Sequence, residues 1–318
     1  MIPYSECTVN FSIINACSCK CWFCGSAKYH QPVSSASKLT LEDIQRTFRA
    51  TPPGEKLKQI MLTGIGESLM NPECLEIAEF LKKQTEHLIF FSNGVLLTPE
   101  VSDRLISAGV DEIRVSITGA TLEVWRKYQG SGFGAKADEV FPRVLDNIKA
   151  MCENRDRINP QCITGTNYIL RDENKDHLLL YLQTMKDLGV SNTQIVPYVD
   201  TTGSSAGDNQ PKRYLVERVA RRMLQGLRLC PLIGKNMQTD IFAHPGELVC
   251  CCRAYSPSIV LGNILEQPIY ELLTGEKFRK LCGALLEGEK EEIPQVCLDC
   301  MYRDPTISVP REGEIINE

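Results

Sequence analysis

Residues 8–24 read TVNFSIINACSCKCWFC, a short β-prone run followed by four cysteines in eight positions: Cys17, Cys19, Cys21 and Cys24. Beyond this stretch, strand-like and helix-like segments alternate. TLEDIQRTFRA (40–50) carries Thr40 as a helix N-cap, and LKQIMLT (57–63) is apolar and unbroken enough for a buried strand. The pattern then predicts helix 73–84, strand 88–92, helix 99–108, strand 112–117, helix 138–153, strand 163–169, helix 173–188 and strand 193–197. Gly109 and Gly189 sit just past two of these helices, where a C′ glycine belongs. Six such units with nearly continuous apolar strands predict an α/β fold, a parallel sheet covered by helices and wrapped into a partial (β/α)6 TIM-like barrel.

The alternation breaks at DTTGSSAGDNQP (200–211), which is polar and rich in glycine and serine. The expected division is a barrel core over 1–199, a linker and helix over 200–229, and a small cysteine-bearing, metal-stapled module over 230–318. In the linker, RYLVERVARRMLQGLR places Leu215, Val219, Met223 and Leu227 on one stripe, and Arg218, Arg221 and Arg222 read as its solvated face. GSGFGAK (130–136) lacks the G-K-[ST] ending of a phosphate loop and reads as a turn before a helix.

The 318 residues are 43% hydrophobic and 24% charged, ordinary for a globular protein. A formal charge of −5 gives no electrostatic reason to expect nucleic acid or an anionic membrane as partner. The N-terminus lacks a signal peptide's basic and apolar regions, and no apolar run is long enough to span a bilayer, so a cytoplasmic protein is expected. In that reducing setting fifteen cysteines point to metal binding or chemistry rather than disulfides. They gather near the two ends of the chain, which suggests two metal centres.

Soft thiolates select zinc, Cu(I) or iron–sulfur clusters. A structural zinc site needs four closed ligands, whereas Cys17, Cys21 and Cys24, spaced C-x3-C-x2-C, offer three from one tight loop. Three thiolates leave one iron of a [4Fe–4S] cluster open for a reactive ligand. Polar signatures also follow the later strands: TGIGES (63–68), SNG (92–94) and Ser116. In a parallel barrel such loops meet at one mouth.

With Phe23 as the aromatic before the last cysteine, this constellation resembles the radical S-adenosylmethionine (radical SAM) superfamily over residues 8 to 198. Gly64, Gly66 and Glu67 match the family's G-x-G-E segment, which binds the methionyl amino group, with Ser68 where many members have proline. Asn93 resembles the asparagine of T-N-G, and Ser116 stands where the family contacts the ribose or carboxylate of SAM. The resemblance implies that Cys17, Cys21 and Cys24 hold three irons, that SAM chelates the fourth, and that Cys19 is no ligand. It further implies that an electron from a flavodoxin- or ferredoxin-type donor cleaves SAM to a 5′-deoxyadenosyl radical, which takes a hydrogen atom from substrate.

The C-terminal part resembles the SPASM extension in its shortened twitch form, through Cys230, the hairpin PGELVCC, the segment 261–281 and the pair Cys297 and Cys300. Counting from Gly246 selects Cys251, so one auxiliary [4Fe–4S] cluster on Cys230, Cys251, Cys297 and Cys300 is implied, two clusters in all. A structural zinc ribbon on the same four thiolates is the alternative. Cys250, Cys252 and Cys282 are candidate hydrogen-atom donors, as in epimerases of the family. His30, His87, His177 and His244 read as satisfied or solvent-facing rather than catalytic.

The function expected is dehydrogenation or epimerisation of a small polar substrate such as a sugar or aminocyclitol, since the cluster loop begins at residue 17 and leaves no room before it for a leader-recognition domain. A peptide substrate is the alternative, with bond formation as a third outcome. A non-enzymatic zinc-binding protein is the competing class.

Overall fold

The structure is a computed structural model, and it describes residues 2–24, 30–198, 237–239, 245–250, 257–287 and 293–298. Six parallel strands carry the fold: β1 (Thr8–Phe11), β2 (Leu57–Leu62), β3 (Thr85–Ser92), β4 (Glu112–Ser116), β5 (Ile163–Leu170) and β6 (Asn192–Pro197). The helices between them are α1 (Leu41–Thr47), α2 (Cys74–Gln84), α3 (Pro99–Ser107), α4 (Leu122–Tyr128), α5 (Ala137–Ile158) and α6 (Leu178–Asp187). The partial (β/α)6 architecture is thus as the sequence implies.

Alternate residues of the strands face opposite sides. Val9, Phe11, Ile60, Leu62, Leu88, Phe90, Ile113 and Val115 are all buried on the helix-covered side, each large one worth about 1.5–3 kcal/mol. The register places Asn10, Met61, Ile89 and Glu112 in one row of the other, concave face. There Gln59, Met61, Arg114 and Asn167 are only half-buried. The strands therefore alternate rather than reading as uniformly buried, because the concave face opens toward the mouth.

Element ends differ from the sequence pattern where other hydrogen bonds compete with the ladder or the helix. β1 stops at Phe11 because Leu39 donates its N–H to Ile13 O and Asn15 donates to Ser37 O, which pairs the continuation with residues 37–39 instead. Helix α6 begins at Leu178, not near 173, because Asn174 folds back. Its Oδ1 accepts the Arg171 N–H at 2.8 Å and its Nδ2 donates to Ile169 O at 2.8 Å. Thr40 caps α1 as expected, in a capping box with Asp43.

The C-terminal residues continue the same sheet. Strand β7 (Met237–Thr239) lies parallel to β1, and β8 (Glu247–Val249) and β9 (Val260–Asn263) follow antiparallel, giving the order β6-β5-β4-β3-β2-β1-β7-β8-β9. Gly246 turns into β8 at φ +88°, where a Cβ would run into Asn263 Oδ1. Helices α7 (Ile269–Thr274) and α8 (Glu276–Glu287) and the short α9 (Gln295–Leu298) complete the described chain. Tyr270 of α7 packs on Tyr4, 5.0 Å between centroids, and Thr47 Oγ1 donates to Ile264 O at 3.2 Å. No helix among the described residues is long and apolar enough to cross a membrane. The linker helix with its arginines, His244, Cys230, Cys251, Cys252 and Cys300 lie outside the described residues.

Candidate SAM and cluster site

Parallel strands deliver their following loops to one end. Cys17, Cys21, Phe23 and Cys24 come from the loop after β1, Gly64, Gly66 and Glu67 from the loop after β2, Asn93 from the end of β3, and Ser116 from the end of β4. All of them line one cavity of about 180 Å³. Cys19 lines it as well, buried at 1% exposure.

The loop after β2 lies flat on the chain that leads to the cysteines. A Cβ on Gly64, at φ +139°, would come within 2.6 Å of Ser12 Oγ, the same oxygen that accepts the Ile65 N–H at 3.1 Å. A Cβ on Gly66 would overlap Ile14 O and stand 2.5 Å from Ala16 O. Glu67 then donates its N–H to Ala16 O at 2.8 Å. Only glycine allows this approach.

Asn93 ties three loops together. Its N–H donates to Glu67 Oε2 at 2.7 Å, its Oδ1 accepts the Val95 N–H at 3.0 Å, and its Nδ2 donates to Ser18 Oγ at 2.9 Å, with Cys17 Sγ 3.8 Å away. Two further residues support the walls and carry no recognisable signal in the sequence. Gln129 fixes the end of β4, donating to Ser116 O at 2.6 Å and accepting the Thr118 N–H at 3.1 Å. His30 Nε2 lies 2.5 Å from Ile65 O, so it is satisfied, as read, yet it lines the site.

Burial dominates the electrostatics. It pushes the Cys17 thiol up to about 12, with the charges of Glu67 and the neighbouring thiols adding to it. Cys19 is raised chiefly by its hydrogen bond to Cys21, then by burial. Thiols held this way ionise when a metal cation supplies the opposite charge. Among the described residues no three such side chains are drawn in closely enough to ligate a single ion. Cys17, Cys21 and Cys24 instead border a space shared with the glycine loop.

The other candidates lie elsewhere. β8 runs antiparallel to β7, so Cys250, which follows it, is carried toward the N-terminal end of β1. It is buried there, with its N–H bound to Ile259 O. Cys282 on α8 is buried in the same core as Cys7, whose thiol is pushed up chiefly by burial and then by Cys282, and Cys7 immediately precedes β1. Neither lines the cavity. Cys297 is half-buried on α9.

Residues 11–185, more than half of the chain, match the Radical SAM superfamily. The chain belongs to that superfamily. Residues 236–301 match the SPASM iron–sulfur cluster-binding domain. The radical SAM barrel binds a [4Fe–4S] cluster and SAM, and the SPASM part binds further iron–sulfur clusters. Among curated proteins, the AdoMet-dependent heme synthase of Methanosarcina barkeri is 37% identical over 94 residues, 30% of this chain and 25% of that protein. The mycofactocin maturase MftC of Mycobacterium ulcerans is 26% identical over 143 residues, 45% of this chain and 36% of that one. The chain thus spans a quarter to about a third of these two relatives. Native anSMEcpe with bound AdoMet superposes with TM-score 0.61 at 15% identity, covering 92% of this chain and 86% of that one. Streptococcus suis SuiB bound to precursor peptide SuiA gives 0.61 at 13% identity, covering 86% and 66%. At such identities the likeness is one of fold.

In this cavity Glu67 is 3% exposed, and burial raises its carboxyl from 4.5 to about 7 against the opposing pull of the Asn93 N–H. A folded-state value above the unfolded one stabilises the fold below pH 4.5, and that contribution is lost as pH rises through 7. In metal-free protein, stability should therefore fall by about 3 kcal/mol between pH 4.5 and 7.5 from this group. Glu67→Gln should flatten that part of the curve in denaturant titrations at stepped pH, and an unchanged slope would contradict the assignment.

Proposed function

We propose that Cys17, Cys21 and Cys24 hold the SAM-binding cluster and that SAM occupies the cavity beside them. The observation that supports this most directly is the convergence of three thiols, the close-packed Gly64 to Glu67 loop, Asn93 and Ser116 on one cavity. The donor set fits the group: three soft ligands from one loop, a buried carboxylate for a cationic amino group, and a glycine loop packed against the chain that leads to those thiols. When bound, the cluster and SAM supply a radical that removes a hydrogen atom from an unactivated carbon.

The chain's own residues prepare that step. Glu67 is aimed by the Asn93 and Leu69 N–H groups, at 2.7 and 3.4 Å, and accepts from the methionyl ammonium. Phe23 lines the cavity beside the thiols, and Gln129 holds Ser116 in place toward the ribose or carboxylate. An electron donor of the flavodoxin or ferredoxin type serves the site, and Cys230, Cys251, Cys297 and Cys300 carry one auxiliary [4Fe–4S] cluster.

The reaction we infer is dehydrogenation of a small polar molecule, sugar- or aminocyclitol-like. The half-buried Arg114 and Asn167 on the concave face, joined at 3.3 Å, suit a hydroxyl-rich substrate. Epimerisation by return of a hydrogen atom from Cys250 or Cys282 is disfavoured, since both thiols lie toward the opposite end of β1 from the cavity. Cys252 stays a candidate donor. A peptide substrate is the second reading, favoured by the likeness to SuiB bound to precursor peptide SuiA and to a mycofactocin maturase.

Anaerobically purified protein should be brown, with about eight iron and eight sulfide per chain. Turnover in heavy water should give a product oxidised by two electrons and free of solvent deuterium. Deuterium in a redox-neutral product would establish epimerisation, and colourless protein with stoichiometric zinc would sink the enzyme reading.

A further inference from the structure

The rim of the cavity carries a side-chain cluster that the SAM site does not use. Trp22, between Cys21 and Phe23, turns outward and is 55% exposed, yet its indole is not unpartnered. The Arg171 guanidinium carbon lies 3.9 Å from its ring centroid and 4.3 Å from that of Tyr198. The Trp22 and Tyr198 rings are 6.4 Å apart and within 20° of parallel, and Tyr128 approaches the indole at 6.0 Å.

Hydrogen bonds and an ion pair orient Arg171 and Tyr128. Arg171 Nε and Nη2 donate to the Glu173 carboxylate at 3.1 and 3.3 Å. The Tyr128 carbonyl accepts the Trp22 backbone N–H at 3.1 Å, and the Tyr128 hydroxyl donates to Glu173 O at 3.2 Å. A planar guanidinium suits this place because it stacks on rings while its edge binds a carboxylate, which lysine cannot do.

The chain positions decide what the cluster connects. Trp22 belongs to the loop after β1, Arg171 follows β5, and Tyr198 follows β6. β1 and β6 are the first and last of the six parallel strands, and among the described residues β6 pairs with β5 and does not reach back to β1. The other edge of β1 carries β7, and among the described residues no ladder joins β6 to either, so these side chains link the loop after β1 to the ends of β5 and β6 at the mouth.

We propose that Arg171 is a positioning residue for the cluster-binding loop. It latches Trp22 to the ends of β5 and β6 and so holds Cys21 and Cys24, on either side of Trp22, at the cavity. The inference rests on the cluster assignment above. Trp22 also gives it a probe, because the chain has two tryptophans and the other, Trp125, is fully buried.

In protein loaded with iron and sulfide, Arg171→Ala should release iron to a chelator about tenfold faster than wild type and shift the spectrum of the reduced SAM-binding cluster. In both loaded and metal-free protein it should make Trp22 fluorescence more readily quenched by acrylamide. Arg171→Lys should fall between the two. Unchanged iron release and unchanged quenching in folded Arg171→Ala protein would overturn the proposal. If that variant does not fold, Glu173→Gln, which loosens the guanidinium without removing it, should move both readouts in the same direction, and no movement would be equally fatal. If wild-type protein takes up no cluster, the cluster assignment has failed, and quenching in metal-free protein decides the latch by itself.

Discussion

Replacing Cys17, Cys21 or Cys24 singly by alanine should remove about four irons per chain and abolish SAM cleavage, whereas Cys19→Ala should keep both. All four thiols line the same cavity, so proximity does not separate them. What separates them is register. Cys17, Cys21 and Cys24 follow C-x3-C-x2-C, and Cys19 falls out of that register, with its buried thiol raised by its neighbour Cys21 and by burial. Losing one of three ligands leaves two thiolates for a cluster that already has an open iron. Losing Cys19 removes one buried sulfur, at a cost of about 1 kcal/mol for the small void. Iron and sulfide analysis with low-temperature spectra of the reduced proteins tests this. Iron retained in Cys21→Ala and lost in Cys19→Ala would reverse the assignment.

Much of this site was legible because its markers are residue types with one strong reason to occur. A glycine against two carbonyls, a carboxylate after G-x-G and spaced cysteines each follow a strand, and a parallel barrel brings such loops together whatever the details of packing. Gln129 and His30 were not legible. Both act through backbone carbonyls, Ser116 O and Ile65 O, and any polar side chain of the right reach could do so. The placement of Cys250 and Cys282 was equally hidden. It depends on β7 joining β1 in parallel and β8 returning antiparallel, and a three-residue strand such as Met237–Thr239 leaves almost no periodic signal. The early end of β1 has a similar cause: Ser12, Ile13 and Ile14 continue a β-prone pattern, but Ile13 and Asn15 take their hydrogen bonds from residues 37–39. Arg171 and Trp22 could each be read as surface residues, and their pairing appears only when the ends of β1, β5 and β6 are placed.

The glycine loop yields the second large effect. Gly66→Ala should destabilise the protein by about 3 kcal/mol and remove measurable SAM binding even where the chain still folds. The neighbours of the added Cβ, Ile14 O and Ala16 O, are backbone carbonyls of the segment that leads into Cys17, so neither can swing away as a side-chain tip could. Relief requires the two segments to part, which breaks the Glu67 N–H to Ala16 O bond and moves Glu67 off the Asn93 N–H. Gly54→Ala is the fitting control. Its φ of +86° makes alanine strained, by about 1 kcal/mol, but nothing lies within 4 Å of the new Cβ, and the position precedes β2, whereas the cavity residues of that loop follow the strand's other end. Thermal melting and equilibrium dialysis with SAM separate the two cases: Gly54→Ala lowers the melting temperature slightly and binds SAM normally, while Gly66→Ala loses binding. A Gly66→Ala protein that melts with wild type and binds SAM with unchanged affinity would show that the loop does not rest on the carbonyls before Cys17, and the geometry assigned to Glu67 would fall with it.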